Sequence, residues 1–198
     1  MVLARASIIT PGDWTELDLD PSTRHTSISK AVRRAVARSH SLAPDATALI
    51  ALLDRTSRRA ADAGAFYCAS LVAKGAPGDL VIANVLMLAC PSPTAPLLVV
   101  PPGRSIPSVD ERCASVADAI SGDPAWVGAM VRVVPLPLVG PSVRVQVEDS
   151  GVIVQYLVPL VDGSVDVVIT FSCASPPYAR LMTQLFDAMA QSLELHFE

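Results

Sequence analysis

The chain has 198 residues, of which 51% are apolar, 17% charged and 5% aromatic, and its formal net charge is −4. A disordered chain is poorer in apolar residues and richer in charge; a disulfide-stapled miniprotein is shorter and denser in Cys than four in 198. At 20.8 kDa the chain can bury about 70% of its unfolded surface, enough for one well-developed core.

The charge is unevenly spread: residues 1–74 carry +3 and residues 75–198 carry −7. Neither half has the strongly basic character of a nucleic-acid-binding domain, so no nucleic-acid partner is expected. The start, MVLARASIITPGDW, has one Arg and no apolar region of signal-peptide length. The longest apolar stretch, Leu80 to Cys90, is eleven residues, where about 20 are needed to span a bilayer. Met87-Leu88-Ala89-Cys90 matches a lipobox by letter but lies far from the N-terminus. The expectation is a cytoplasmic protein with no membrane association.

No internal repeat or low-complexity linker divides the chain, so residues 1–198 are read as one domain. Ser7 to Leu19 starts extended, turns at Pro11-Gly12 and resumes as a short edge strand. There Trp14, Glu16 and Asp18 alternate with Thr15, Leu17 and Leu19. Asp20-Pro21-Ser22-Thr23 offers helix caps, and Ile28, Ala31, Val32, Ala35 and Val36 follow the spacing of one buried helical face. Pro44 interrupts that pattern at the first turn of a second helix built on Leu49, Ile50, Leu52 and Leu53, and Gly64 is a suitable stop. Residues 24–63 thus form two helices, or one kinked near Pro44.

From Ala65 the period changes to two. Phe66–Val72 and Leu80–Ala89 are predicted strands, joined through Lys74-Gly75-Ala76-Pro77-Gly78-Asp79 as an antiparallel hairpin. Residues 91–107 are Pro-rich and predicted irregular, and Asp110 to Ile120 is a short helix with Ser108 as candidate cap. Met130–Pro135, Val143–Glu148, Val152–Leu160 and Val165–Ser172 are four more strands, with turns at Asp149-Ser150-Gly151 and Asp162-Gly163. Val143, Val145 and Val147 alternate with Arg144, Gln146 and Glu148, which predicts one wet face. Pro176–Phe197 closes the chain, and within it Tyr178, Leu181, Met182, Leu185, Phe186, Met189 and Leu193 make a stripe at helical spacing, with a final helix over Leu181–Leu193 that packs on the sheet. The fold class is α+β: a mainly antiparallel sheet of about six or seven strands flanked by helices.

This order of elements, with the Pro-Gly-x-Trp turn first, has further points of likeness in Gln155-Tyr156-Leu157-Val158-Pro159, in Val167–Ser172 and in the final helix with Leu185-Phe186-Asp187-Ala188-Met189-Ala190. It is similar to actinobacterial proteins of the Mog1/PsbP-like fold class, including mycobacterial LpqN-type proteins, here without an N-terminal lipobox. The residue usage, with Arg far above Lys and a single Asn (Asn84), has the look of GC-rich actinobacterial coding. The resemblance implies an antiparallel sheet flanked by helices and a binding or accessory role rather than an enzymatic one.

Motifs for catalysis are missing. His25, His40 and His196 do not stand at i, i+4, and H-E-x-x-H, G-x-S-x-G and the phosphate-binding G-x-x-x-x-G-K-[ST] do not occur. Cys68, Cys90, Cys113 and Cys173 form no C-x-x-C pair and are expected to be buried free thiols. Asp110-Glu111 and Glu148-Asp149 are adjacent in sequence, at a helix start and a turn. No catalytic residue, cofactor or metal is therefore expected; the alternative is an enzyme with a small dispersed site around His25, Asp18 and Asp20. Lys30, Arg34 and Arg38 are spaced i, i+4, i+8, and Arg55, Arg58 and Arg59 share a second helical face. Two basic stripes on neighbouring helices suit an acidic protein partner, with Trp14 as an interface anchor; the plainer reading is a solvated surface and a core Trp. A homo-oligomer that buries the apolar excess between subunits is a third possibility.

Overall fold

The alternating runs become strands and the 3.6-period runs become helices, as local pattern dictates. The computed structural model describes residues 3–76, 79–91, 107–160 and 165–198. The expected turn at Asp162-Gly163, the Pro-rich stretch 92–106 and Pro77-Gly78 of the first hairpin lie outside the described residues. In chain order the elements are β1 (Leu3–Ser7), β2 (Trp14–Glu16), α1 (Arg24–Arg38), α2 (Ala46–Asp62), β3 (Ala65–Lys74), β4 (Leu80–Pro91), α3 (Val109–Gly122), β5 (Met130–Leu136), β6 (Gly140–Glu148), β7 (Val152–Pro159), β8 (Val165–Cys173), α4 (Ala179–Ala190) and β9 (Glu194–Phe197). Seven strands make one antiparallel sheet in the order β2-β3-β4-β8-β7-β6-β5, and β1 pairs with β9 in a separate ribbon. The fold is α+β, and pairing of β4 with β8 joins the N-terminal hairpin to the C-terminal meander.

Residues 24–63 form two helices separated by a 3-10 turn, His40–Asp45, that contains Pro44. Pro44 therefore lies before α2 rather than in its first turn. Gly64 ends α2 at φ +79°, a conformation that glycine adopts without a Cβ penalty. Ser108 caps α3 by accepting from the Glu111 N–H, and Glu111 returns the bond to the Ser108 N–H. Pro135 stands on β5, an edge strand, where a residue lacking an N–H is tolerated.

Two expectations need correction. The closing helix stops at Ala190, and Glu194–Phe197 is the strand that pairs with β1. The face of β6 read as wet is not: Gln146 is buried, and Arg144 is ion-paired to Asp187 of α4 at 2.8 Å. Arg144 also donates to the Gln146 amide oxygen, and Tyr156 OH donates to Asp187, so a satisfied polar network occupies that position. Glu148 alone of the three is exposed.

The sheet's two faces are covered differently. On one, Val85, Met87, Val154, Tyr156, Ile169 and Phe171 meet Phe186 and Met189 of α4; Phe171 and Phe186 stack with centroids 5.1 Å apart. On the other, α1 and α2 cover β3 and β4 through Ile28, Val32, Leu49 and Leu53, while α3 covers β5 and β6 through Cys113 and Val116.

Candidate functional site

Two of the predicted basic residues converge where the sheet ends. β2 is an edge strand with β3 as its neighbour within the sheet. Leu17 N–H donates to the Cys68 carbonyl, which fixes the ladder register. Alternate residues then point their main-chain groups away from β3, so Glu16 offers an N–H and a C=O to the outside. The helix α1 runs beside this edge, and between them opens a groove of about 680 Å³ lined by Gly12, Trp14, Thr15, Glu16, Arg34 and Arg38, among others.

The spacing i, i+4 puts Arg34 and Arg38 on one side of α1, with Ala31 and Ala37 also at the groove. The small side chains keep it open, and the two guanidinium groups give one wall a positive lip. Arg38 reaches Asp13 at 3.9 Å, a contact exposed on both sides and of little energetic weight. Arg34 makes no ion pair among the described residues.

Trp14 has a different position from the arginines. It is 8% exposed, and its indole meets Phe186 edge-on with centroids 6.4 Å apart. Its ring is held in the core beneath α4, and what it gives the groove is a rigid floor. Lys30 is exposed on α1. Of the α2 trio, Arg58 is bonded to Asp54 at 2.6 Å and Arg55 is exposed, while Arg59 lies over the open middle of the sheet. The six basic residues thus divide into different surroundings instead of forming one surface.

The group around His25 is taken up by a turn. Asp18 accepts from the Asp20 N–H and from the Thr23 hydroxyl, and Asp20 accepts from the side chain and backbone of Ser22. The Ser22 hydroxyl, then its N–H, holds Asp20 below the usual carboxylate range. These carboxylates organise the entry to α1, and His25 on its first turn is exposed. Among the described residues no three His, Cys, Asp or Glu come together as a metal-ion site.

All four cysteines are free thiols; Cys68, Cys113 and Cys173 are buried and Cys90 is half-buried. Burial pushes both Cys68 and Cys113 up to about 11, so neither is a ready thiolate nucleophile near neutral pH. Among the described residues no helix is long and apolar enough to cross a membrane.

Sequence pattern identified the arginines but not the groove, because the closeness of Gly12–Glu16 to α1 is a tertiary fact. The available signal was the short alternating run after Pro11-Gly12, which marked an edge strand. Compared with known protein families and with curated proteins, the chain matches no family model and no curated protein.

Proposed function

We propose that this is a non-enzymatic binding or accessory protein that recognises an extended, acidic segment of another protein along the β2 edge. The observation that carries the reading is the groove in which the outward main-chain groups of Glu16 on the β2 edge and two arginines, Arg34 and Arg38, face the same space. An added strand takes its affinity from main-chain hydrogen bonds to the edge, and the guanidinium groups favour carboxylates on the incoming segment. The occupation of Asp18 and Asp20 in a turn further supports a binding role over an enzymatic one. Four free thiols fit a reducing compartment, in keeping with a cytoplasmic protein. The helix-flanked antiparallel sheet is compatible with the Mog1/PsbP-like resemblance, and the accessory role implied by that resemblance agrees with this reading.

The test is capture from native lysate by the wild type and by an Arg34→Glu/Arg38→Glu variant, with mass spectrometry. A synthetic peptide from the captured partner's acidic segment is then titrated against both proteins. Both positions are exposed, so the fold tolerates the reversal. Peptide binding should be lost in the variant, and equal binding to both proteins overturns the proposal.

A second reading has an observation of its own. Around the other edge strand, β5, Val127 is 86% exposed and Leu138 63%, with Met130 and Val133 also open. A contact between two copies of the chain would cover them. Light scattering that returns a concentration-independent species of 20.8 kDa removes this reading.

A further inference from the structure

A second site lies at the centre of the sheet, on the face opposite α4. Strand alternation places Ser70, Asn84, Ser172, Thr170 and Gln155 on this face, and pairing brings them together: Ser70 opposite Asn84, Asn84 opposite Ser172, and Thr170 opposite Gln155. These are central strands whose other face is apolar apart from the Tyr156 hydroxyl, which is bonded to Asp187 of α4. Polar residues at adjacent register positions there cost stability if sealed without partners. Ser70 is buried against Asn84, but Asn84, Gln155, Thr170 and Ser172 are not sealed, because α2 covers one end of the face and α3 the other. A cleft of about 240 Å³ remains, lined among others by Thr56, Arg59, Asn84, Thr170 and Ser172.

The chemistry of that lining is one-sided. The Asn84 oxygen accepts from the Ser70 hydroxyl at 2.6 Å, which fixes the amide and turns its NH2 group to other partners. The Thr170 oxygen accepts from Gln155 at 3.0 Å, leaving the Thr170 hydroxyl hydrogen to donate. Ser172 and Thr56 add hydroxyls, and Arg59 adds a full positive charge. Arg59 makes no ion pair among the described residues, and no carboxylate lines the cleft. Among the described residues the polar part of this lining carries donors and no anion, and Ala60, Cys68, Val85 and Leu86 complete the wall.

We propose that this cleft binds a small oxyanion, a carboxylate or phosphate group, with Arg59 neutralising its charge and Asn84, Thr170 and Ser172 donating to its oxygens. A cleft of about 240 Å³ that opens to solvent has room for a compact anionic group. The site is separate from the β2 groove and does not depend on the reading given to it.

The sequence supplies the probe. Asn84 is the sole asparagine of the chain, so 15N-asparagine labelling yields one side-chain NH2 signal pair, placed in the cleft. Inorganic phosphate and, separately, acetate and succinate are titrated at constant ionic strength, with sodium chloride as control. Saturable movement of the Asn84 NH2 signals with phosphate or a carboxylate, and not with chloride, is the expected result, and the anion that saturates lower identifies the preferred group. Arg59→Gln, at an exposed helix position, should raise the half-saturating concentration about tenfold or more. Ser172→Ala should raise it less. No saturable movement with any of these anions overturns the proposal, as does an equal response to chloride or an unchanged titration in Arg59→Gln.

Discussion

The two faces of the sheet are built from the same strands and have different fates. In β8, Val167, Ile169 and Phe171 point to α4 and are fully buried, while Asp166, Val168, Thr170 and Ser172 point the other way. The first set extends a largely apolar face that runs from Trp14 at one edge to Leu136 at the other, interrupted at Arg144, Gln146 and Tyr156 by a network that Asp187 of α4 satisfies, and α4 and the β1–β9 ribbon close over it. The second set, with Asn84 of β4 beside it, interrupts its face with hydroxyls, a buried carboxylate and an amide, and two separate helical covers leave the middle open. A helix closing on that middle would have to desolvate groups that lack partners, so the polar centre and the gap in the cover have one cause. One face spends its residues on stability, and the other keeps some for contact.

The sharpest way to break this comparison is at Phe186, which stacks on Phe171 and meets Trp14 edge-on. Phe186→Ala should cost about 3–5 kcal/mol of unfolding free energy in a urea titration. A loss below about 1 kcal/mol would mean that α4 is not the cover that holds the sheet.

The next effect in size is at Tyr156, on the same face. Burial, then its bond to Asp187, raises its pKa above the ordinary tyrosine value of 10.0. Because the folded state holds this proton more tightly, the stabilisation is complete below that value and declines as pH rises past it. Tyr156→Phe should cost about 1 kcal/mol near neutral pH through the lost hydrogen bond. The gap between wild type and variant should then narrow above about pH 10 in paired denaturation curves; a constant gap contradicts the sign. The raised Cys68 and Cys113 thiols have the same sign, so part of the alkaline decline persists in the variant.

The smallest expected effect lies on the opposite face. Ile153, on β7 beside Ser172, is 45% exposed. Ile153→Thr should change stability by less than about 0.5 kcal/mol. A loss comparable to that of Phe186→Ala would show the second face to be as tightly sealed as the first.

Much of the fold was legible because the signals were local. Period two from Ala65 onward, Gly64 after α2 and the Ser108/Glu111 pair before α3 each act within a few residues. What escaped was set by pairing across the chain. Leu193 continued the helical stripe by spacing, and nothing nearby reveals that Glu194–Phe197 has β1 as a partner. Arg144 and Gln146 looked solvated because Asp187, which satisfies Arg144, lies 43 residues away. Of the candidate sites, the arginines of α1 could be read from spacing, but the edge they face could not. The central cleft left a trace in Asn84, polar within the run Leu80–Ala89, yet its alignment with Thr170 and Ser172 depends on the β4–β8 register.

The ribbon of β1 and β9 has a consequence for the order of folding. Leu3 pairs with Phe197 and Ser7 with Glu194, and the Ile9 N–H donates to the Ser192 hydroxyl. Closing that contact spans roughly 190 residues, which costs about 2.6 kcal/mol more loop entropy than a ten-residue hairpin if it forms from the open chain. Once the sheet and α4 are in place most of that distance is already closed, so the ribbon docks late and cheaply. Of this pair β1 therefore waits for β9, and until the two meet its unpaired edge is a place where the folding chain can pair wrongly.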